Sequence, residues 1–173
     1  DQLTISYSKS FGLPIKIVRP FNTYGPRQSA RAIIPTISSQ LLSGSNEIVL
    51  GNLKPTRDLT YVSDTCKGFL SIFKSDSLFG HATNIGMNSE ISMMDLAKLI
   101  GNLLNIDVKI SISNKRKRPL DSEVDRLLCD NSKLIKNTSW APDYNLENGI
   151  REFLNWMRNP EVLKFYKPDR YNV

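Results

Sequence analysis

The sequence predicts a mixed α/β fold packed as one domain, and three observations carry that prediction. Short β-branched runs, Ile15 to Val18 and Glu47 to Leu50 among them, are bounded by turn residues. Between such runs lie stretches with apolar residues at helical spacing, of which Met93 to Leu104 is the clearest. A chain of 173 residues, 40% hydrophobic and 23% charged, has the size of one packed unit rather than two.

In order along the chain, Leu3, Tyr7 and Phe11 recur every four residues until Gly12 stops them. No capping residue and no Met precedes them, so the chain is expected to begin inside a helix. Pro14 leads into the strand Ile15 to Val18, whose polar end, Arg19 to Pro26, opens a loop carrying Arg27 and Arg31. Ile33, Ile34, Ile37, Leu41 and Leu42 mark a helix from Ala32 to Leu42, with Pro35 in its first turn. Glu47 to Leu50 reads as a strand closed by Gly51 and Asn52. A loop from Lys54 feeds a short extended piece, after which Ser63 and Asp64 cap a helix through Phe73 whose apolar face is Cys66, Phe69, Leu70 and Phe73.

Ala82 to Gly86 is the next strand. Ser92 and Asp95 have capping-box spacing ahead of an amphipathic helix built on Met93, Leu96, Ala97, Ile100, Leu103 and Leu104. Val108, Ile110 and Ile112 alternate with polar neighbours, the period of a strand with one wet face. Asn131 or Ser132 opens a short helix ending near Trp140. Asn145 caps Leu146 to Met157, with Ile150, Phe153, Leu154 and Met157 turned inward. The tail from Asn159 is expected to be poorly ordered.

Composition limits the function. The balance of 23 basic to 17 acidic residues, a net charge of +6, favours an anionic partner without naming it. The run Lys115-Arg116-Lys117-Arg118 comes with no nucleic-acid recognition motif and reads as a solvated loop. No apolar run is long enough for a bilayer, and the amino end lacks the pattern of a signal sequence, which points to a soluble, cytoplasmic protein. Cys66 and Cys129 lie far apart with one histidine, His81, so neither a zinc site nor a disulfide framework is expected. Both cysteines read as small buried hydrophobes and His81 as a surface residue. The chain contains neither GxGxxG nor GxxxxGK[ST], hence no phosphate-cradling loop of its own.

Three arginine positions stand in ligand-facing contexts: Arg27 or Arg31 after the first strand, Arg57 before a strand, and Arg118 at the end of the basic run. Guanidinium groups grip phosphate oxygens in pairs, so arginines from three loops suit a diphosphate.

These residues fall within a longer pattern. Arg19-Pro-Phe-Asn-Thr-Tyr-Gly-Pro, Ile34-Pro35, Gly51 followed by Arg57-Asp58 and Tyr61-Val62-Ser63-Asp64, Asn84-Ile85-Gly86, and Arg118-Pro119 occur in this order. Together they resemble the carboxyl-terminal half of extended short-chain dehydrogenase/reductases that act on nucleotide sugars, from residue 1 to about residue 157. The loop Asn22 to Arg31 looks most like the 4,6-dehydratases of bacterial surface-sugar synthesis, particularly the UDP-N-acetylglucosamine 4,6-dehydratase type used for legionaminic acid. The resemblance implies a Rossmann-type fold lacking most of its cofactor-binding sheet. It divides the chain into a remnant of the cofactor domain at 1–24, a substrate-binding domain at 25–158 and a tail at 159–173.

The resemblance also implies roles. Asn22 and Arg57 would touch the substrate diphosphate, as would Arg118, and Pro20 would sit where the backbone passes the nicotinamide of NAD. Ile33 would lie over the phosphates, Ile48 and Leu50 would pack against the base, and Asn88 would approach the nucleoside. Asp121 or Glu123 would accept hydrogen bonds from the ribose. A plain core role for Ile33, Ile48 and Leu50 stands beside this reading, as does a turn role for Asn22. Tyr61 and Asp64 read as structural, Asp64 as a helix cap.

The family's glycine-rich fingerprint and its Tyr-x-x-x-Lys catalytic pair are both missing from this sequence. The expectation is therefore a substrate-binding portion with no catalytic residue and no metal, inactive alone, of an NAD-dependent nucleotide-sugar 4,6-dehydratase. That enzyme would remove hydride from the sugar C4, expel water across C5 and C6, and return hydride to C6. It would take a nucleoside-diphosphate sugar, UDP-linked, and form a homodimer, with no nucleic-acid or membrane partner. A 4-epimerase, a decarboxylase or a non-catalytic binding fragment are the alternatives.

Overall fold

The computed structural model describes residues 1–116 and 124–168. In chain order the elements begin with α1 (Gln2–Phe11), β1 (Ile17–Pro20), β2 (Asn22–Tyr24), α2 (Ile33–Leu42) and β3 (Glu47–Leu50). Next come β4 (Thr56–Arg57), β5 (Leu59–Tyr61), α3 (Val62–Lys74), β6 (Ala82–Ile85), β7 (Ile91–Ser92) and α4 (Met93–Leu104). The series closes with β8 (Lys109–Ile112), β9 (Arg126–Leu127), α5 (Ser132–Asn137), α6 (Leu146–Met157) and α7 (Pro160–Leu163).

Local signals explain most boundaries. Gly12 ends α1 in the left-handed conformation at φ 64°, which costs glycine little. Ser92 Oγ accepts from Asp95 N at 3.0 Å and donates to Asp95 Oδ2 at 2.6 Å, so residues 92 and 95 close on each other as the spacing predicts. Asn145 Oδ1 accepts from Asn148 N at 2.8 Å, fixing the start of α6. Helix α3 departs from expectation, because it starts at Val62 with Tyr61 at its cap position and no side-chain cap bond.

The chain falls into two units. Unit 1 comprises Asp1–Thr23, Asp58–Glu90 and Leu128–Tyr144, and unit 2 comprises Tyr24–Arg57, Ile91–Leu127 and the chain from Asn145 onward. Each unit is thus built from three separate stretches of the chain.

In unit 1, β1 and β6 pair in parallel, Ile17 opposite Ala82 through Pro20 opposite Ile85, and β2 pairs with β5. Ile72, Leu78, Ile85, Leu134 and Trp140 form its core, with Val18 packed against it. Helix α3 approaches β6 so closely that a Cβ on Gly68 would lie 2.7 Å from Ile85 Cδ1. The face of α3 turned inward is therefore Asp64, Thr65, Gly68 and Ile72. Cys66, Phe69, Leu70 and Phe73, read above as its apolar face, are exposed, Phe73 by 78%. Helix α1 has no buried residue.

In unit 2, β3 and β8 pair in parallel, and β4 lies between β7, antiparallel, and β9, parallel. Helices α2, α4 and α6 contact one another. Together with β3 they enclose Ile34, Ile37, Leu41, Ile48, Leu50, Leu96, Ile100, Ile150, Phe153, Leu154 and Met157. Ile112, expected on the buried face of its strand, is 59% exposed at the strand end. The expected loose tail is ordered as far as it is described: α7 forms, Tyr166 is buried, and its hydroxyl donates to Gln28 O at 2.8 Å.

Candidate functional site

Parallel strands end their hydrogen bonding with loops on one side of the sheet, and α/β proteins place ligands beyond those carboxyl ends. In unit 1 the adjacent strands β1 and β6 deliver two such segments. Beyond β1 come Phe21 and Asn22, anchored by Phe21 N donating to Ile85 O at 2.9 Å. Beyond β6 come Gly86, Met87, Asn88 and Ser89. Pro20, at the end of β1, is exposed.

Asp58 ties these segments together. It is 0% exposed. Its Oδ1 accepts from Met87 N at 2.8 Å, and its Oδ2 accepts from Ser89 N at 3.3 Å and Cys129 N at 3.2 Å. Its main-chain oxygen accepts from Asn22 Nδ2 at 3.4 Å. Charge-assisted bonds of the carboxylate kind are the stronger class. Asn88, between the two clamped N–H groups, is exposed and left-handed at φ 54°. Asn131 Nδ2 donates to Gly86 O at 2.8 Å. Gly86 admits no side chain, since a Cβ there would overlap Cys129 Cβ. Burial pushes the Cys129 thiol up to about 12, with Asp58 and Asp130 acting in the same direction through their charge.

Asp64 is the second fully buried carboxylate of unit 1. It accepts from Asp143 N at 2.9 Å and Tyr144 N at 3.1 Å, and its main-chain oxygen accepts from Trp140 Nε1 at 3.0 Å. Its partners are the segment after α5 rather than its own helix end, which corrects the cap role read from sequence.

In unit 2, Arg57 is half-buried in the central strand of the three-stranded sheet. One guanidinium nitrogen donates to Thr56 O at 2.8 Å and Val124 O at 2.6 Å. Ile33 is half-buried at the start of α2, while Arg27 and Arg31 are exposed, Arg27 at φ 68°. Ile48 and Leu50 are 0% and 2% exposed. They lie on β3, which pairs with β8 and contacts α2. Arg118, Asp121 and Glu123 lie outside the described residues.

Asn22 and Asn88, chosen from sequence, are thus brought under one aspartate. Sequence reasoning included that aspartate, Asp58, in the Arg57-Asp58 pattern but gave it no role, and nothing in the polar approach Lys54 to Thr60 marks it out as buried. Among the described residues no group of three or more His, Cys, Asp or Glu could hold a metal ion, and no helix is long and apolar enough to cross a membrane.

The architecture matches solved Rossmann-type NAD-dependent epimerases and dehydratases over about nine tenths of the chain. The structure of dTDP-glucose 4,6-dehydratase from Bacillus anthracis in complex with NAD superimposes with a TM-score of 0.83 at 26% identity, covering 96% of this chain and 52% of that one. In sequence, the chain belongs to the GDP-mannose 4,6 dehydratase family, whose model matches residues 1–153. It is 32% identical over 166 residues to UDP-N-acetyl-alpha-D-glucosaminuronate decarboxylase of Bacillus cytotoxicus, covering 93% of this chain and 51% of the relative. It is 28% identical over 162 residues to dTDP-glucose 4,6-dehydratase of Xanthomonas campestris, covering 90% and 46%. The chain therefore spans about half the length of these relatives.

Proposed function

We propose that this chain is the nucleotide-sugar-binding portion of an NAD-dependent nucleotide-sugar 4,6-dehydratase and is inactive alone. One observation carries the reading: the segments bearing Asn22 and Asn88 leave the carboxyl ends of adjacent parallel strands and are held by the same buried Asp58. In this reading Asn22 and Arg57 contact the diphosphate, Ile33 borders the phosphates and Asn88 meets the nucleoside. Arg118 is assigned to the diphosphate as well, and Asp121 or Glu123 to the ribose. Binding the diphosphate, remote from the reacting carbons, orients the hexose and lowers the entropic part of the barrier.

NAD, when bound, supplies the hydride acceptor. From this chain Pro20, exposed at the end of β1, would border the nicotinamide. The rest of the cofactor's binding surface is assigned to residues beyond this chain. For the substrate we favour a UDP-linked sugar, UDP-N-acetylglucosamine in the manner of the legionaminic acid enzymes, on the strength of the Asn22 to Arg31 loop. The whole enzyme is read as a cytoplasmic homodimer.

Titrating UDP-N-acetylglucosamine into the full-length protein that carries this chain, with and without Arg57→Ala, tests the assignment. Removing a charge-assisted hydrogen bond to a diphosphate weakens binding by about 1.5 to 3 kcal/mol. Unchanged affinity in the variant would refute the diphosphate role. Formation of a C4 epimer or release of CO2 in place of dehydration would move the assignment to the epimerases or decarboxylases.

A further inference from the structure

The geometry points to Asp58 as a positioning residue that sets Asn88 for the nucleoside, an inference that rests on the functional reading above. Its buried carboxylate accepts from the N–H groups of Met87 and Ser89, the residues on either side of Asn88. Asn88 itself has φ 54°, a conformation that costs an L-residue energy and persists where its surroundings enforce it, though asparagine tolerates it better than most. Gripping both flanking amides supplies that enforcement. The loop is also held from behind, because Asn131 binds Gly86 O and Gly86 packs directly against Cys129, whose own N–H is the third donor to Asp58. The Asn88 side chain is left at the surface with its backbone fixed.

The same residue serves Asn22 by a different atom. Asn22 Nδ2 donates to the main-chain oxygen of Asp58, not to its carboxylate. A change confined to the carboxylate therefore separates the two. In Asp58→Asn one carboxylate oxygen becomes an NH2 group, which faces backbone donors and cannot accept from them. The loop after β6 loses part of its clamp while the anchor of Asn22 remains.

The test uses the full-length protein and UDP-N-acetylglucosamine as probe. Asp58→Asn is expected to raise KM at least tenfold with kcat within about threefold, the pattern of weakened binding away from the reacting carbons. Asn88→Ala should do the same, and the double variant should be no worse than either single one, as residues acting through one another are not additive. Asn22→Ala combined with Asp58→Asn should multiply the two effects. A full additive loss in the Asp58 and Asn88 pair, or a fall in kcat at constant KM, would overturn the inference.

Hydrogen exchange of the Met87 and Ser89 amides in the unliganded wild-type protein keeps the idea falsifiable where Asp58→Asn fails to fold. Protection beyond that of open-loop amides is expected. Exchange at open-loop rates would mean that the clamp does not exist. A wild-type protein that binds no UDP-sugar would instead sink the functional reading, and the positioning role with it, whatever the exchange rates.

Discussion

Helices α6 and α3 carry the same kind of apolar stripe in sequence, yet they use it in opposite ways. In unit 2, α6 sinks Ile150, Phe153, Leu154 and Met157 to 2% exposure or less. In unit 1, α3 turns Cys66, Phe69, Leu70 and Phe73 to the surface and seats Thr65, Gly68 and Ile72 against the sheet. Periodicity names two faces of a helix without saying which is covered. Here the distance of approach decided: β6 comes so near α3 that only the glycine face fits, and bulky residues were left on the other side.

The contrast can be broken most forcefully by truncating one phenylalanine on each helix. Phe153→Ala should destabilise by about 3 to 5 kcal/mol in chemical denaturation, the range for emptying a packed aromatic site. Phe73→Ala should stay within about 0.5 kcal/mol, as for surface positions generally. A large loss at Phe73 would show that this face is covered in the full-length protein. A smaller effect tests how α6 is set in place: Asn145→Ala removes the acceptor for Asn148 N and should cost about 1 kcal/mol.

The thiols sharpen the same comparison within unit 1 without altering its stability. Cys66, on the outward face of α3, should react with a maleimide at a pH of about 8. Cys129 is enclosed, and with its thiol pushed up to about 12 it has almost no thiolate at that pH. Its labelling should follow global unfolding. Because its neutral form is favoured in the folded state, stability from this group is full below its ordinary value and falls as the pH rises towards 12. Rapid labelling of Cys129 in the native protein would contradict its burial.

How far the sequence was legible follows from which interactions are local. The start of α4, set by Ser92 and Asp95, and that of α6, set by Asn145, depend on residues three apart, and both were readable. The inward face of α6 was readable because a single stripe competes for the core. For α3 the overlooked clue was Gly68, since a mid-helix glycine costs about 1 kcal/mol and usually marks a close approach. The ordered tail was hidden because Tyr166 is held by Gln28, 138 residues earlier. The partners of the buried carboxylates were hidden for the same reason: Asp58 meets residues 29 to 71 positions away, and Asp64 meets residues 79 and 80 positions away. Asn22 and Asn88 came from a family resemblance, and no local rule would have joined them.

The most direct measurement is a titration of UDP into isotope-labelled full-length protein, following the side-chain amides of Asn22 and Asn88 and the guanidinium of Arg57 by NMR. The account predicts saturable shifts of all three signals with one common dissociation constant. Saturation of other resonances while these three stay still would place the nucleotide elsewhere and contradict it.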